Sequence, residues 1–210
     1  MLWGEDHQES LKTKSIAIIG AGGLGCSNAL ALSGSGIGKI YIVDFDRVEI
    51  HNIHRQIGFT SSDIGEYKAK VLSKLLKNRN PDIKTFANVM EFNEFKKDAP
   101  KLDLIIDATD NMKTRVDINN FAKEQDIPWV YGSVEEFKGY VALFKDKSYS
   151  IFDTKEKEPA GIAAPMVMHI ASLQSNLALR YLLDLSVSSD LLYYIYFDKD
   201  GILKNKSFKI

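Results

Sequence analysis

Cysteine is almost absent from this chain of 210 residues, because Cys26 is the only one. A lone thiol can form no intrachain disulfide, and it cannot build a zinc site of several thiolates. Two interpretations of Cys26 remain. It lies behind a glycine turn, where a helix dipole could lower its pKa for catalysis, but a free cysteine is usually a small buried residue. We predict the structural role.

A surplus of either charge is absent as well, since 27 lysines and arginines face 28 aspartates and glutamates, for a formal net charge of −1. This balance gives no support to generic nucleic-acid binding, so we expect no nucleic-acid partner. Long apolar runs are also missing, because His169, Gln174, Asn176 and Arg180 interrupt the most apolar stretch, residues 162–185. With a polar N-terminal segment besides, we expect a cytoplasmic protein without a membrane partner.

What is present is the composition of an ordinary globular domain, with 45% hydrophobic and 26% charged residues. The pattern predicts strands over 15–19, 39–43, 83–89, 102–107 and 129–134, separated by helices over 26–32, 67–76 and 114–123. This alternation predicts an α/β fold, with a Rossmann-like, mostly parallel twisted sheet and helices on both faces. We expect one domain over residues 1–210, with its nucleotide-binding part at about 15–135.

After residue 135 the pattern changes to antiparallel strands and one long helix. Strands are predicted over 139–144, 149–152, 191–197 and 202–210, with a hairpin turn at 198–201, a charged loop at 153–159 and a helix over 163–185. A helix this apolar lies either in the centre of the core or against another subunit. We therefore expect a homodimer, and we expect His169 to be a core or interface residue.

A glycine-rich turn follows the first predicted strand. Gly20, Gly22 and Gly25 stand in the G-x-G-x-x-G register, which permits a tight turn, close approach to a phosphate and close packing of helix on strand. Asp44 ends the second strand, where a carboxylate can accept hydrogen bonds from ribose hydroxyls. The arrangement favours a nucleotide site over a purely structural turn, but nicotinamide and flavin enzymes use the same turn.

Three charged residues near this turn can each be interpreted in two ways. Arg55 has a planar fork that suits phosphate oxygens, and Lys68 lies near a helix start, where it opposes the helix dipole unless an anion binds there. The alternative is a solvated charged loop. Asp110 follows a buried strand and should face the same crevice as Asp44, where it could hold Mg²⁺ or simply cap a helix.

Five motifs in a fixed order resemble the ThiF/MoeB/HesA family, bacterial relatives of ubiquitin-activating enzymes. They are Gly-Ala-Gly-Gly-Leu-Gly at 20–25, Asp-Phe-Asp at 44–46, Asn-x-x-Arg-Gln at 52–56, Asp-Ile-Gly-x-x-Lys at 63–68 and Ala-Thr-Asp-Asn at 108–111. The resemblance implies an enzyme that uses ATP and Mg²⁺ to adenylate the C-terminal glycine of a ubiquitin-like sulfur-carrier protein ending in Gly-Gly.

By motif match, the resemblance also implies the site residues. The nucleotide would be bound by Gly20, Gly22, Gly23, Gly25, Asp44, Asp46, Asn52, Arg55, Gln56, Lys68, Asp110 and Asn111. Asp44 would bind the ribose, Arg55 the phosphates together with Asn52 and Gln56, and Lys68 the α-phosphate region. Asp110 would coordinate Mg²⁺, so that Arg55, Lys68 and Asp110 form the catalytic set. The part over residues 136–210 would bind the carrier.

The sequence departs from the family pattern in three places. Many relatives carry Cys-x-x-Cys pairs for zinc, whereas this chain has Ser148-Tyr149-Ser150-Ile151, so we predict no zinc. Some relatives use a cysteine before the long helix for sulfur transfer, but residues 153–159 contain none, so we expect a separate sulfurtransferase. No arginine precedes Arg47, although relatives often place one in a neighbouring subunit's ATP site.

Several alternatives stay open at this point. The short chain without zinc ligands favours a thiamine-pathway carrier over a molybdopterin-pathway carrier. A relative that cyclises a modified adenosine on transfer RNA, an NAD-dependent oxidoreductase and a degenerate member that binds a carrier without catalysis are the others. The aromatic group Tyr193, Tyr194, Tyr196 and Phe197 is either strand packing or part of a surface for the carrier.

Overall fold

Alternating strands and helices build a parallel sheet, as the sequence predicts. The computed structural model describes residues 2–147, 149 and 161–210. The parallel strands are β1 (Ser15–Ile19), β2 (Lys39–Val43), β3 (Lys84–Asn88), β4 (Leu104–Asp107) and β5 (Trp129–Glu135). Every residue of β1 and β4 is buried, as expected for central strands covered on both faces. The predicted α/β class is confirmed.

The strand order creates a crevice at the centre of the sheet. The order is β3-β2-β1-β4-β5-β6-β7-β8. Ile19, at the end of β1, pairs with Val43 of β2 on one side and with Asp107 of β4 on the other. The connection after β1 therefore leads to β2 on one side of β1, and the connection after β3 leads to β4 on the other side. In open α/β sheets, ligands bind beyond the carboxyl ends of the strands at the point where connections diverge in this way. The segments after β1, β2 and β4 all face this crevice.

Helices cover both faces of the sheet. In the described residues they are α1 (Gly4–Thr13), α2 (Gly23–Gly34), α3 (Lys68–Arg79), α4 (Phe92–Phe95), α5 (Met112–Glu124) and α6 (Ala164–Leu182). One apolar cluster includes Leu32, Leu72 and Ala178 of α2, α3 and α6. The other includes Phe95 and Ile118 of α4 and α5, so the sheet has a core on each side.

The last three strands are antiparallel, as predicted. They are β6 (Lys138–Phe144), β7 (Leu191–Phe197) and β8 (Leu203–Lys209), with the hairpin turn closed by a hydrogen bond from Gly201 N to Asp198 O (3.0 Å). The strand predicted over 149–152 and the loop predicted over 153–159 lie, apart from Tyr149, outside the described residues. The sheet thus changes from parallel to antiparallel at β5–β6.

The long helix α6 has one face in the core, whereas its predicted placement against another subunit stays a prediction. Met166, Ile170 and Ala178 are buried against α2 and the sheet, so one face of α6 lies in the core. His169 is exposed, and its predicted position in the core is therefore wrong; a position at an interface stays a prediction. None of the helices described here combines the length and apolar character that a membrane crossing requires.

Two short helices, α1 and α4, were not predicted. Helix α1 buries only one apolar residue, Leu11, so no repeated apolar positions reveal it in the sequence. It is held instead by Gln8, whose Nε2 donates to Ser35 O (2.9 Å) and whose Oε1 accepts from Trp3 Nε1 (3.1 Å). Helix α4 is a single turn, too short for a periodic pattern.

Candidate active site

The glycine turn joins β1 to α2 at the centre of the crevice. Gly20 has φ +92°, and a Cβ on it would lie 2.7 Å from Ala108 O, while a Cβ on Gly25 would overlap Gly20 O. Both positions therefore exclude a side chain because of the protein's own packing. Gly22 differs, since the nearest atom to a Cβ there would be Gln56 Nε2 at 3.7 Å. The turn leaves open space above Gly22, where a phosphate could approach the backbone.

Asp44 is fixed to this turn by its carboxylate. Its Oδ2 accepts a hydrogen bond from Ala21 N (2.6 Å), and its Oδ1 accepts one from Asp46 N (2.7 Å). Burial raises the pKa of Asp44, and these two N–H donors together with the charge of Lys68 oppose the shift. The side chain is only half-buried, and each carboxylate oxygen can accept a further bond. Asp44 can therefore receive ribose hydroxyls where the sequence predicts it should.

Lys68 begins α3 and turns its ammonium inward. Its Nζ lies 2.9 Å from Asp46 Oδ2, and its side chain is 8% exposed, against 52% for Asp46. The backbone repeats the link, because Lys68 N donates to Asp46 O (2.9 Å). The lysine is thus partly shielded and bound to a carboxylate at the rim. An incoming phosphate would compete with Asp46 for this cation.

Arg55 has a different environment from Lys68. Its backbone oxygen would lie 3.2 Å from a Cβ on Gly23, so the residue packs against the glycine turn. The guanidinium contacts His51 O (3.3 Å) and His54 Nε2 (3.4 Å) through Nη1. Among the residues that the structure describes, no carboxylate pairs with it. Arg55 therefore offers a cation that is not neutralised by a salt bridge.

Two amides beside Arg55 are buried. Asn52 accepts a bond from Glu49 N through Oδ1 (3.2 Å) and so stabilises the 3₁₀ turn at Ile50–Asn52. Gln56 is 3% exposed, and within the described part of the chain its Oε1 has no hydrogen-bond partner. Buried polar atoms normally have partners, so an orphan beside the glycine turn is consistent with a ligand that donates to it.

Asp110 and Asn111, in the loop after β4, differ in their contacts. Asn111 caps α5, because its Oδ1 accepts a hydrogen bond from Thr114 N (3.1 Å). The alternative role of Asp110 as the helix cap is therefore wrong. Asp110 is exposed at the crevice, and its carboxylate makes no hydrogen bond or salt bridge to any described residue. A free carboxylate at this place has the oxygen ligands that Mg²⁺ prefers.

An ion pair that the sequence does not predict lies directly beneath this loop. Asp107 is fully buried at the end of β4, and its Oδ2 lies 3.3 Å from Nε of Arg115 on α5. Burial raises the pKa of Asp107, and the Arg115 guanidinium opposes that shift. No signal in the sequence pairs these two residues, because they belong to different elements and match no spacing of a single helix or strand.

Cys26 has the structural role that the sequence predicts. It is fully buried, and a Cβ on Gly58 would lie 3.0 Å from its Sγ. Burial raises the pKa of the Cys26 thiol to about 12, so it remains protonated at neutral pH. The catalytic interpretation of Cys26 is therefore rejected, because the thiolate is the nucleophilic form.

The predicted residues lie at the glycine turn and in the segments that follow β2 and β4, and they differ in their hydrogen-bond and ion-pair partners. Asp44, Arg55 and Asp110 present polar groups that keep free capacity, whereas Lys68 is paired and the Asn111 oxygen is occupied. The open space above Gly22 fits a nucleotide phosphate chain, and the free Asp110 fits a divalent cation.

Comparison with known proteins gives consistent matches. The chain is 38% identical over 145 residues to a sulfur carrier protein adenylyltransferase of Thermus thermophilus, covering 67% of this chain and 53% of that protein. It is 34% identical over 189 residues to the sulfur carrier protein ThiS adenylyltransferase of Escherichia coli, covering 84% and 75%. The chain therefore spans about half of the first relative and three quarters of the second.

Solved structures share the fold. The crystal structure of Escherichia coli MccB with ATP superposes with a TM-score of 0.84 at 24% identity, covering 97% of this chain and 65% of that chain. The model of the ThiF family matches residues 1–203, almost the whole length. The chain belongs to the ThiF family.

Proposed function

We propose that this chain is an ATP-dependent adenylyltransferase, which activates the C-terminal glycine of a ubiquitin-like sulfur-carrier protein ending in Gly-Gly. Family membership and the named activities of two relatives support this proposal. The observation that carries it is the crevice itself, where Asp44 is bound to the glycine turn and Arg55 lies beside the turn without a carboxylate partner among the described residues. An NAD-dependent oxidoreductase would leave Arg55, Lys68 and Asp110 without a role.

The nucleotide is expected to lie across the glycine turn. Asp44 accepts the ribose hydroxyls, and the phosphates pass over Gly22 towards Arg55 and Gln56. Lys68 holds the α-phosphate region, exchanging Asp46 for a phosphate oxygen or sharing its ammonium between the two. Asn52 acts by fixing the turn that carries Arg55, and Gly23 keeps Arg55 close to the nucleotide.

The chemistry is an attack of one anion on another. A carboxylate oxygen of the carrier bonds to the α-phosphorus of ATP, and the bond to pyrophosphate breaks. Arg55 and Lys68 reduce the repulsion between the two anions and align them, so the reaction needs no protein nucleophile. When bound, Mg²⁺ neutralises charge on the phosphate oxygens. Asp110 would hold it, and Mg²⁺ commonly uses one or two protein carboxylates.

The carrier is proposed to dock on the antiparallel part, residues 136–210. Tyr140 and Tyr194 stack at 4.6 Å, and Tyr194 and Tyr196 stack at 4.5 Å on the same face of the sheet. We call these three rings the tyrosine ladder. A cavity of about 660 Å³ is lined by Tyr194 and Tyr196 of this ladder and by exposed Phe137 and Phe197, among others. An aromatic surface of this kind is typical of protein interfaces.

The product also implies further partners. Cys26 is buried and protonated, so it cannot attack the acyl adenylate, and sulfur is proposed to come from a separate sulfurtransferase. We propose a thiocarboxylate for thiamine synthesis as the end product, in line with the named relative that acts on ThiS. We also propose a homodimer; light scattering that gives a monomer mass at micromolar concentration would contradict it.

Pyrophosphate exchange with a purified Gly-Gly carrier tests the central proposal. We expect carrier-dependent exchange of labelled pyrophosphate into ATP, lost in Arg55→Ala and retained in Arg79→Ala, a matched change at an exposed arginine on α3. Tight NADH binding without exchange would favour the oxidoreductase. Carrier binding without exchange would identify a degenerate member.

A further inference from the structure

The buried ion pair of Asp107 and Arg115 lies directly beneath the loop that carries Asp110. Asp107 Oδ1 accepts hydrogen bonds from Thr109 N (2.9 Å) and Thr109 Oγ1 (2.7 Å). Arg115 Nη2 donates to Thr109 O (2.6 Å) and to Gly132 O (3.3 Å). Both polar groups of the Thr109 backbone are therefore fixed by this pair. Asp110 is the next residue, so its position follows from the pair.

The pair is also anchored from the other side of the sheet. Gln174 of α6 donates from Nε2 to Asp107 O (2.7 Å), and its Oε1 accepts from Asn28 Nδ2 (2.8 Å) on α2. Helix α2 is the one that begins at the glycine turn. A continuous set of buried hydrogen bonds thus runs from the glycine-turn helix through Gln174 to the loop of Asp110 and fixes their relative positions.

Stability alone does not account for this arrangement. Asp107 Oδ2 and Arg115 Nε lie 3.3 Å apart, but neither atom makes a hydrogen bond of good geometry to any residue in the described ranges. Burying two charges costs free energy, and well-packed apolar residues in place of such a pair are often as stable or more stable. Such a pair therefore need not add net stability, and its contacts include those that fix the Thr109 backbone.

We propose that Arg115 is a positioning residue for the divalent cation, which acts by holding the Thr109–Asp110 loop so that the Asp110 carboxylate points into the crevice. This inference rests on the proposed function, in which Asp110 binds Mg²⁺ beside the phosphates of ATP. Arg115 touches neither the nucleotide nor the carrier. Its substitution is therefore expected to change the nucleotide affinity measured with Mg²⁺ and not the affinity measured without Mg²⁺.

Binding of the ATP analogue AMPCPP, measured by calorimetry with and without Mg²⁺, tests the proposal without using catalysis. Arg115→Lys keeps the charge but cannot reach Asp107, Thr109 O and Gly132 O together. We expect affinity in Mg²⁺ to fall roughly tenfold, about 1.4 kcal/mol, with no change in EDTA. The matched control is Arg180→Lys, since Arg180 also donates to a backbone oxygen, Ser186 O, but on the far end of α6.

A double-mutant cycle with Asp110→Asn separates this inference from the proposed function. If Arg115 acts through Asp110, Arg115→Lys causes no further loss in the Asp110→Asn background. Additive losses, or an equal loss in EDTA, would overturn the positioning role. If Asp110→Asn alone leaves the gain in AMPCPP affinity on adding Mg²⁺ unchanged, the proposed cation site is wrong instead. Should Arg115→Lys fail to fold, Asp107→Asn with Arg115→Met removes both charges and must lose the same Mg²⁺-dependent affinity.

Discussion

Single residues of the crevice are held by hydrogen bonds that the chain itself supplies. Asp44 shows the consequence most clearly, because two backbone N–H groups orient its carboxylate while burial raises its pKa. The orientation was predictable from the position of Asp44 at the end of a strand. The pairing of Lys68 with Asp46 was not, since a loop of irregular backbone separates them and only its folded path brings the two charges together.

Asp44 should give stability a pH dependence of known sign. The pKa is 3.8 in the unfolded chain and higher in the folded one, so the folded state binds the proton more readily. The contribution of Asp44 to the free energy of unfolding is therefore fully present below pH 3.8 and falls as pH rises through the folded pKa. Urea unfolding from pH 3.5 to 7 should show Asp44→Asn gaining stability relative to wild type as pH rises. A constant difference across this range would contradict the expectation.

Two glycines should respond differently to the same added methyl group. Gly22→Ala meets only Gln56 Nε2 at 3.7 Å, so the fold should be kept while ATP affinity falls at least tenfold, because the methyl group occupies the space above the turn. Gly25→Ala overlaps Gly20 O and should cost about 1–3 kcal/mol or more of stability. Thermal unfolding and nucleotide titration of both variants check this. Equal ATP affinity in Gly22→Ala and wild type would refute the phosphate position.

The sequence predicts secondary-structure elements best where turn residues flank a run of apolar residues. Strands β1 and β2 match the prediction at both ends, because polar residues or glycines flank continuous apolar residues. Helix α2 begins three residues earlier than predicted, since Gly23 and Gly25 have poor helix propensity and are helical only because the turn packs tightly. The buried pair Asp107–Arg115 is not predictable from the sequence for the same reason, because it depends on how the elements pack against one another.

The first turn of α5 provides a test of the role assigned to Asn111. Because Asn111 Oδ1 caps the helix, Asn111→Ala should lower the free energy of unfolding by about 1 kcal/mol, whereas Asn111→Asp should preserve it. We expect both variants to keep most of the ATP affinity. Chemical denaturation and AMPCPP titration measure the two effects separately. A large loss of AMPCPP affinity in Asn111→Asp would indicate instead that Asn111 binds the nucleotide.

At the scale of the whole molecule, the proposed nucleotide crevice and the tyrosine ladder belong to one continuous sheet. The carboxyl end of β5 and the start of β6 lie at the same edge, and Lys138 pairs with Tyr196 in β7. Both proposed sites therefore open towards this edge. The parallel half was predictable from its motifs, but this alignment depends on antiparallel register, which no single segment of the sequence encodes.

Variants of the tyrosine ladder should separate carrier binding from ATP binding. Tyr196→Ala is expected to raise KM for the carrier roughly tenfold, in the range of an interface aromatic residue, with KM for ATP unchanged. Lys209→Ala, on the opposite face and at the far end of the exposed strand β8, serves as the control. Steady-state pyrophosphate exchange gives both constants. An unchanged KM for the carrier would exclude this surface as the docking site.

The order of the strands also sets a minimum length for any tail that connects the two proposed sites. From β7, beside the aromatic rings, to β4, beneath Asp110, the sheet is three strand spacings wide. At about 4.8 Å for each spacing, this is roughly 14 Å, and an extended chain covers about 3.3 Å per residue. A carrier docked as proposed would therefore need at least about four or five extended residues beyond its globular body.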